Sequence, residues 1–115
     1  MTEARWWRWQ RGRQQSGYDK FCLLQLRWPL PCDAYLLRFP VGSSVPPHRD
    51  AVSAGRHYRV NLILRHARSG GEFHCDDMLW SSRRIKWFRP DQALHSVSAV
   101  TAGTRYVLSV GWIRP

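Results

Sequence analysis

Lysine is almost missing from this chain, and acids are scarce. Of its 18 basic residues only Lys20 and Lys86 are lysine, and 8 acids oppose them, which leaves a formal net charge of +10 and a pI near 10.8. Such a surplus draws anionic partners by long-range attraction but names none of them. A phosphate backbone, an acidic protein segment or a genome's preference for arginine codons leaves the same trace. Cysteine is also sparse. Cys22, Cys32 and Cys75 are too few for a disulfide framework, and no pair has zinc-knuckle spacing, so a reduced, cytoplasmic compartment is the expectation. No window approaches the ~18 apolar residues of a membrane-spanning helix. The arginine-rich start lacks the apolar core of a secretory signal, so no membrane association is expected. Internal repeats, low-complexity tracts and any long run of helical periodicity are absent as well.

What is present fits one soluble domain. The chain has 115 residues and 13.5 kDa, with 43% hydrophobic and 23% charged residues, enough for one core and not for two. Residues 1–17 form a basic arm in which Trp6, Trp7 and Trp9 alternate with Arg5, Arg8, Arg11 and Arg13. Such an arm suits either stacking on nucleic-acid bases or covering an open end of the core. The domain proper is expected over 18–115, with its densest β region from about 33 to 115. The run FCLLQLRW (21–28) reads equally as a short helix or a covering strand. From Cys32 onward the pattern is β, with short apolar runs punctuated by turn signals at intervals of roughly ten residues. The expected fold class is therefore all-β, with at most a short N-terminal helix, in a sandwich or barrel of which the jelly roll is a common form.

The chemistry concentrates between Pro46 and Arg105. His48 and Asp50 are two apart, and residues two apart on a strand face the same way while Arg49 faces the other. His95 follows 45 residues after Asp50, so only a fold that brings distant strands together can join the three. Two imidazoles and one carboxylate can occupy one face of an octahedral metal and leave three positions open, the arrangement used by non-haem Fe(II) oxygenases. Of the other histidines, His57 and His66 flank an apolar strand among arginines and His74 follows a Gly-Gly turn; these read as structural or solvated.

Residues 34–112 resemble the 2-oxoglutarate and Fe(II)-dependent oxygenase superfamily, in the branch similar to prolyl 4-hydroxylases. The resemblance rests on H-R-D at 48–50, G-G-E-F at 70–73 and H-S-V-S-A-V-T-A-G-T-R-Y-V-L-S at 95–109, in the family's order. It implies a double-stranded β-helix with His48, Asp50 and His95 as the catalytic iron ligands. It also implies that Arg105 grips the far carboxylate of the cosubstrate 2-oxoglutarate. A guanidinium suits that role because its planar fork meets a carboxylate with two parallel bonds and keeps its charge when buried. Ser109 shares the Arg105 face, and Asn61 on the central apolar strand is a further candidate for cosubstrate binding. Phe39 and Val107 stand where relatives carry hydroxyl groups. The implied reaction uses dioxygen to decarboxylate 2-oxoglutarate to succinate and carbon dioxide and hydroxylates a C–H bond of a peptide, protein side chain or small molecule.

Two rival readings carry different expectations. A non-catalytic basic β-barrel would bind nucleic acid through the arm and through Arg83, Arg84, Lys86 and Arg89 around Trp87 and Phe88. A cupin-type metal barrel is disfavoured, because no H-x-H with a downstream glutamate occurs. The short chain has little room for a lid, which makes a partner chain or a homodimer a candidate source of substrate-binding surface.

Overall fold

The computed structural model describes residues 9–11, 17–27 and 30–115. Twelve strands run in the order β1 (Trp9–Arg11), β2 (Asp19–Leu26), β3 (Cys32–Phe39), β4 (Val45–His48), β5 (Arg56–Arg65) and β6 (Ser69–Gly70), followed by β7 (Phe73–Cys75), β8 (Met78–Ser81), β9 (Ile85–Phe88), β10 (His95–Val97), β11 (Val100–Ala102) and β12 (Arg105–Arg114). No helix occurs among the described residues, so none is present to cross a membrane. Of the stretch that read equally as helix or strand, residues 21–26 belong to β2 and Trp28 lies outside the described residues. Arg5, Trp6, Trp7, Arg8 and Arg13 of the basic arm lie outside the described residues.

The strands form one large sheet, β1-β2-β3-β12-β5-β9-β8, and two small ones, β4-β10-β7 and β11-β6. Neighbours in all three pair antiparallel. The small sheets close over one face of the large one and make a jelly roll, the double-stranded β-helix expected above. The core shows this closure directly. Phe39, Ile63 and Val107 from the large sheet meet Val45, Val97 and Val100 from the small ones, all buried. These are β-branched or aromatic residues, which fill a pleated surface well.

Strand β12 shows why the chain alternates. Arg105, Val107, Ser109 and Gly111 are buried, whereas Tyr106, Leu108, Val110 and Trp112 are only partly covered or exposed. The buried set faces the small sheets. Two glycines are required by close approach. At Gly71, with φ of 65°, a Cβ would lie 2.8 Å from Val100 Cγ2 and 3.4 Å from Arg105 Cδ. At Gly111 a side chain would occupy the space taken by the Arg59 guanidinium. Cys22, Cys32 and Cys75 are all free thiols.

Candidate metal centre

Strands β4 and β10 lie side by side with His48 directly opposite His95, and the two rings tilt against each other with centroids 4.2 Å apart. Strand β4 ends at His48, so Asp50 sits in the following loop rather than on the strand itself. Its N–H donates to the carbonyl of Pro90 at 2.7 Å, which anchors the loop. The carboxylate is thereby turned between the two imidazoles. Oδ1 lies 3.3 Å from His48 Nε2 and Oδ2 lies 3.6 Å from His95 Nε2. One donor atom from each of the three residues falls within 4.8 Å of the others. Neighbouring ligands on an octahedral ion stand about 3 Å apart when each bond is about 2.1 Å, so a modest contraction would close this group on one ion.

The tautomers agree with that use. His48 Nδ1 is 2.8 Å from the Pro46 carbonyl and His95 Nδ1 is 2.9 Å from the Ala93 carbonyl. A carbonyl oxygen only accepts, so each Nδ1 carries the hydrogen and each Nε2 keeps its lone pair. Metal-binding histidines are commonly held this way, with the outer nitrogen fixing the ring. Phe88 and Phe73 pack near His95 at 5.1 and 6.3 Å between centroids, which walls one side of the group with hydrocarbon.

A cavity of about 280 Å³ adjoins the triad, and its walls include His48, Asp50, His95, Asn61, Arg105 and Ser109. The six residues expected to bind metal or cosubstrate therefore line one cavity. Arg105 is 2% exposed, lies against the Phe39 ring at 4.9 Å, and has no acidic partner among the described residues. Burial pushes its guanidinium down to about 10. An interior cation without a counter-ion is costly, and a bound anion removes that cost.

The other two polar candidates differ from Arg105. Ser109 Oγ accepts a hydrogen bond from Arg59 at 2.8 Å, and the same guanidinium is paired with Asp33 at 2.8 Å. Asn61 Oδ1 is buried without a partner, as an amide is when the group meant to meet it is a ligand. Sequence reasoning missed Tyr18, Tyr35, Lys20 and Arg59, which also line the cavity. Tyr18 stacks on Phe39 with ring centroids 4.9 Å apart, which brings a phenol to the cavity wall beside that ring. Burial and the nearby Asp33 raise the Tyr35 phenol, which keeps it protonated and able to donate. No local pattern marked these residues, because Tyr18 and Lys20 adjoin a run that read equally as helix or strand and Tyr35 and Arg59 sit in runs read only for their apolar content.

The remaining histidines lie elsewhere. His66 Nε2 is 3.1 Å from the Arg83 carbonyl, and His74 is exposed. His57 is pushed below its ordinary value by burial and by Arg59. Its Nδ1 is buried and unpartnered, while its Nε2 lies 3.4 Å from the Arg59 guanidinium. Together with Leu26, Val52, Trp112 and Ile113 it lines a second cavity of about 310 Å³, and Asp50 borders this cavity too. Asp50 thus borders both hollows.

No protein-family model and no curated protein sequence matches the chain. Solved structures do. KdgF from Halomonas sp. superposes with a TM-score of 0.61 at 17% identity, over 94% of this chain and 87% of that one. The Cnp3 cupin domain of Schizosaccharomyces pombe gives 0.65 at 11% identity, over 93% and 69%. A chain in the structure of Rhodobacter sphaeroides SigE in complex with the anti-sigma ChrR gives 0.56 at 20% identity, over 91% and 48%. At these identities the likeness is one of fold. The chain has the jelly-roll architecture of cupin domains, and on it His48, Asp50 and His95 form a group able to hold a metal ion.

Proposed function

We propose that the protein is an Fe(II)- and 2-oxoglutarate-dependent dioxygenase that hydroxylates a C–H bond. The observation that carries this reading is the buried Arg105, without an acidic partner among the described residues, in the same cavity as the His48–Asp50–His95 group. A metal-binding jelly roll alone has no need of that cation. A cosubstrate with a chelating end and a distant carboxylate calls for both.

His48 and His95 would present neutral Nε2 donors, and Asp50 would add the single negative charge that suits a divalent ion. When bound, Fe(II) would supply the redox chemistry that couples oxidative decarboxylation of 2-oxoglutarate by dioxygen to hydroxylation of the substrate. The chain's own work is positioning. Arg105 would take the far carboxylate with two charge-assisted bonds, in surroundings where hydrocarbon from Phe39 and Val107 excludes water. Tyr18 and Asn61 are placed to complete its hydrogen bonding, while Ser109 serves first to hold Arg59. The second cavity, bordered by His57, Trp112 and by Asp50, which also borders the first, would admit the primary substrate. Its mixed apolar and polar wall suits an amino-acid side chain.

Two variants test this reading. Asp50→Ala weakens Fe(II) binding by more than about 100-fold, because even loss of a group that merely orients a ligand costs about 10 to 100-fold. Arg105→Ala leaves Fe(II) binding intact and weakens 2-oxoglutarate by about 100-fold, the worth of two charge-assisted bonds. Anaerobic calorimetry with each component separates the two. Equal loss of both components in both variants, or loss of neither, contradicts the assignment.

A further inference from the structure

The large sheet has one face to spare. Register divides its residues between two faces despite bulges in β2, β5 and β8: Phe39, Asn61, Ile63, Phe88, Arg105, Val107 and Ser109, all buried, point toward the small sheets. The alternate positions of β3, β12, β5 and β9 point outward, and none of them is buried. They include Leu36, Val60, Leu62, Leu108, Val110 and Trp87, placed side by side by the register Leu36↔Leu108↔Leu62 and Val110↔Val60↔Trp87. Val110 and Trp87 are each 37% exposed, and Trp80, opposite Trp87 on the edge strand, is 57% exposed. Among the described residues no element packs on this face. Contiguous apolar patches beyond a few hundred Å² are rare on monomers and mark interaction sites.

We infer that this outer face is a self-association surface on which a second copy of the chain packs sheet against sheet. Size is the first reason. Strands about 4.8 Å apart and about 26 Å long give the five longest-paired strands and their edges roughly 600–800 Å², close to the ~800 Å² per partner of a stable complex. Charge is the second. On the three middle strands β3, β12 and β5, the charged residue among the outward positions away from the strand ends is Arg38, which is bonded to Asp19 at 3.0 and 3.1 Å. Arg56, Arg65 and Arg114, none with an acidic partner among the described residues, stand at strand ends, where long side chains can turn away to water and Arg56 donates to the Pro115 carbonyl at 3.0 Å. An acidic protein or a nucleic-acid strand would be selected by cations within the patch, whereas its centre is neutral and aliphatic. Shape is the third, since two sheets of the same twist pack face to face with strands about 30° apart and close under two-fold symmetry. In that dimer both metal centres, which lie on the inner faces, stay open to solvent.

The test uses the full chain, with no metal or cosubstrate. Sedimentation equilibrium over ~1–100 μM gives a mass twice 13.5 kDa, and the melting temperature of the wild type rises with concentration, as linked association requires. Leu108→Asp, at the centre of the patch, returns the mass to that of one chain and removes the concentration dependence. Leu108→Ala, which keeps an apolar outward position and serves should the aspartate variant fail to fold, weakens association at least about tenfold. A wild type that is monomeric at ~100 μM with a concentration-independent melt overturns the inference. So does a dimer that persists unchanged in folded Leu108→Asp or Leu108→Ala.

Discussion

The two faces of the seven-stranded sheet are built from the same strands and nearly the same apolar content, yet they serve different ends. The inner face carries Arg105, Asn61 and Ser109 among Phe39, Ile63 and Val107, and all six are buried. The outer face carries Leu36, Leu62, Leu108 and Val60 at its centre, with Arg38 beside them and Arg56, Arg65 and Arg114 at strand ends, and none of these is buried. Polar residues therefore sit where water is excluded and hydrocarbon sits where it is not. That inversion costs stability on both sides of the sheet. It is expected where the inner polar groups await a ligand and the outer apolar ones await a surface.

The sharpest way to break the comparison is to truncate the two faces of a single strand. Phe88 and Trp87 are neighbours on β9, the first 1% exposed and turned inward, the second 37% exposed and turned outward. Phe88→Ala costs about 3–5 kcal/mol of unfolding free energy, the range for a buried aromatic. Trp87→Ala, measured by denaturant at concentrations low enough to keep single chains, costs below ~1 kcal/mol. Its cost then grows as the protein concentration is raised, because the outer face contributes only when covered. Equal costs at low concentration would mean that the two faces are not distinct.

A smaller effect sharpens the inner face. Arg105→Met removes a buried cation without an acidic partner, fills similar volume, and raises the stability of the metal-free, cosubstrate-free protein by about 1–3 kcal/mol, while 2-oxoglutarate affinity falls. The pH dependence has a definite sign. Because burial brings the Arg105 guanidinium down to about 10, the folded chain releases this proton before the unfolded chain does. Below pH 10 the burial cost is present in full, and as pH rises through that value it is relieved. The stability gap between Arg105→Met and wild type is accordingly constant at neutral pH and narrows above about pH 10. A gap that widens there would show that the arginine is satisfied in the folded protein.

Much of this was legible in the residues. His48, Asp50, His95 and Arg105 stood out because each carries chemistry and the intervening motifs fix their order, and the structure brings all four to one cavity. Strand parity placed Ser109 with Arg105 correctly but could not reveal that its hydroxyl is engaged by Arg59, a contact between side chains 50 residues apart. Tyr18 was invisible for a similar reason, since its stacking on Phe39 joins residues 21 apart in the chain. The ambiguity over FCLLQLRW has a physical source. In β2 the outward Phe21, Leu24 and Leu26 are as apolar as the inward Cys22, and a bulge between Cys22 and Leu24 breaks the two-residue period. A sheet apolar on both faces loses the alternation by which strands are recognised. The difficulty in reading β2 and an outer face that no described element covers are one fact seen twice.

The central claim is that the inner cavity holds Fe(II) and 2-oxoglutarate together, and anaerobic titration tests it most directly. Fe(II) is added to the wild-type chain, then 2-oxoglutarate, and the visible spectrum is followed for the weak charge-transfer band of the chelate. The account predicts a band that saturates at one equivalent per chain and is lost in Asp50→Ala. Absence of the band at saturating metal, with the β-sheet circular dichroism intact, would contradict it.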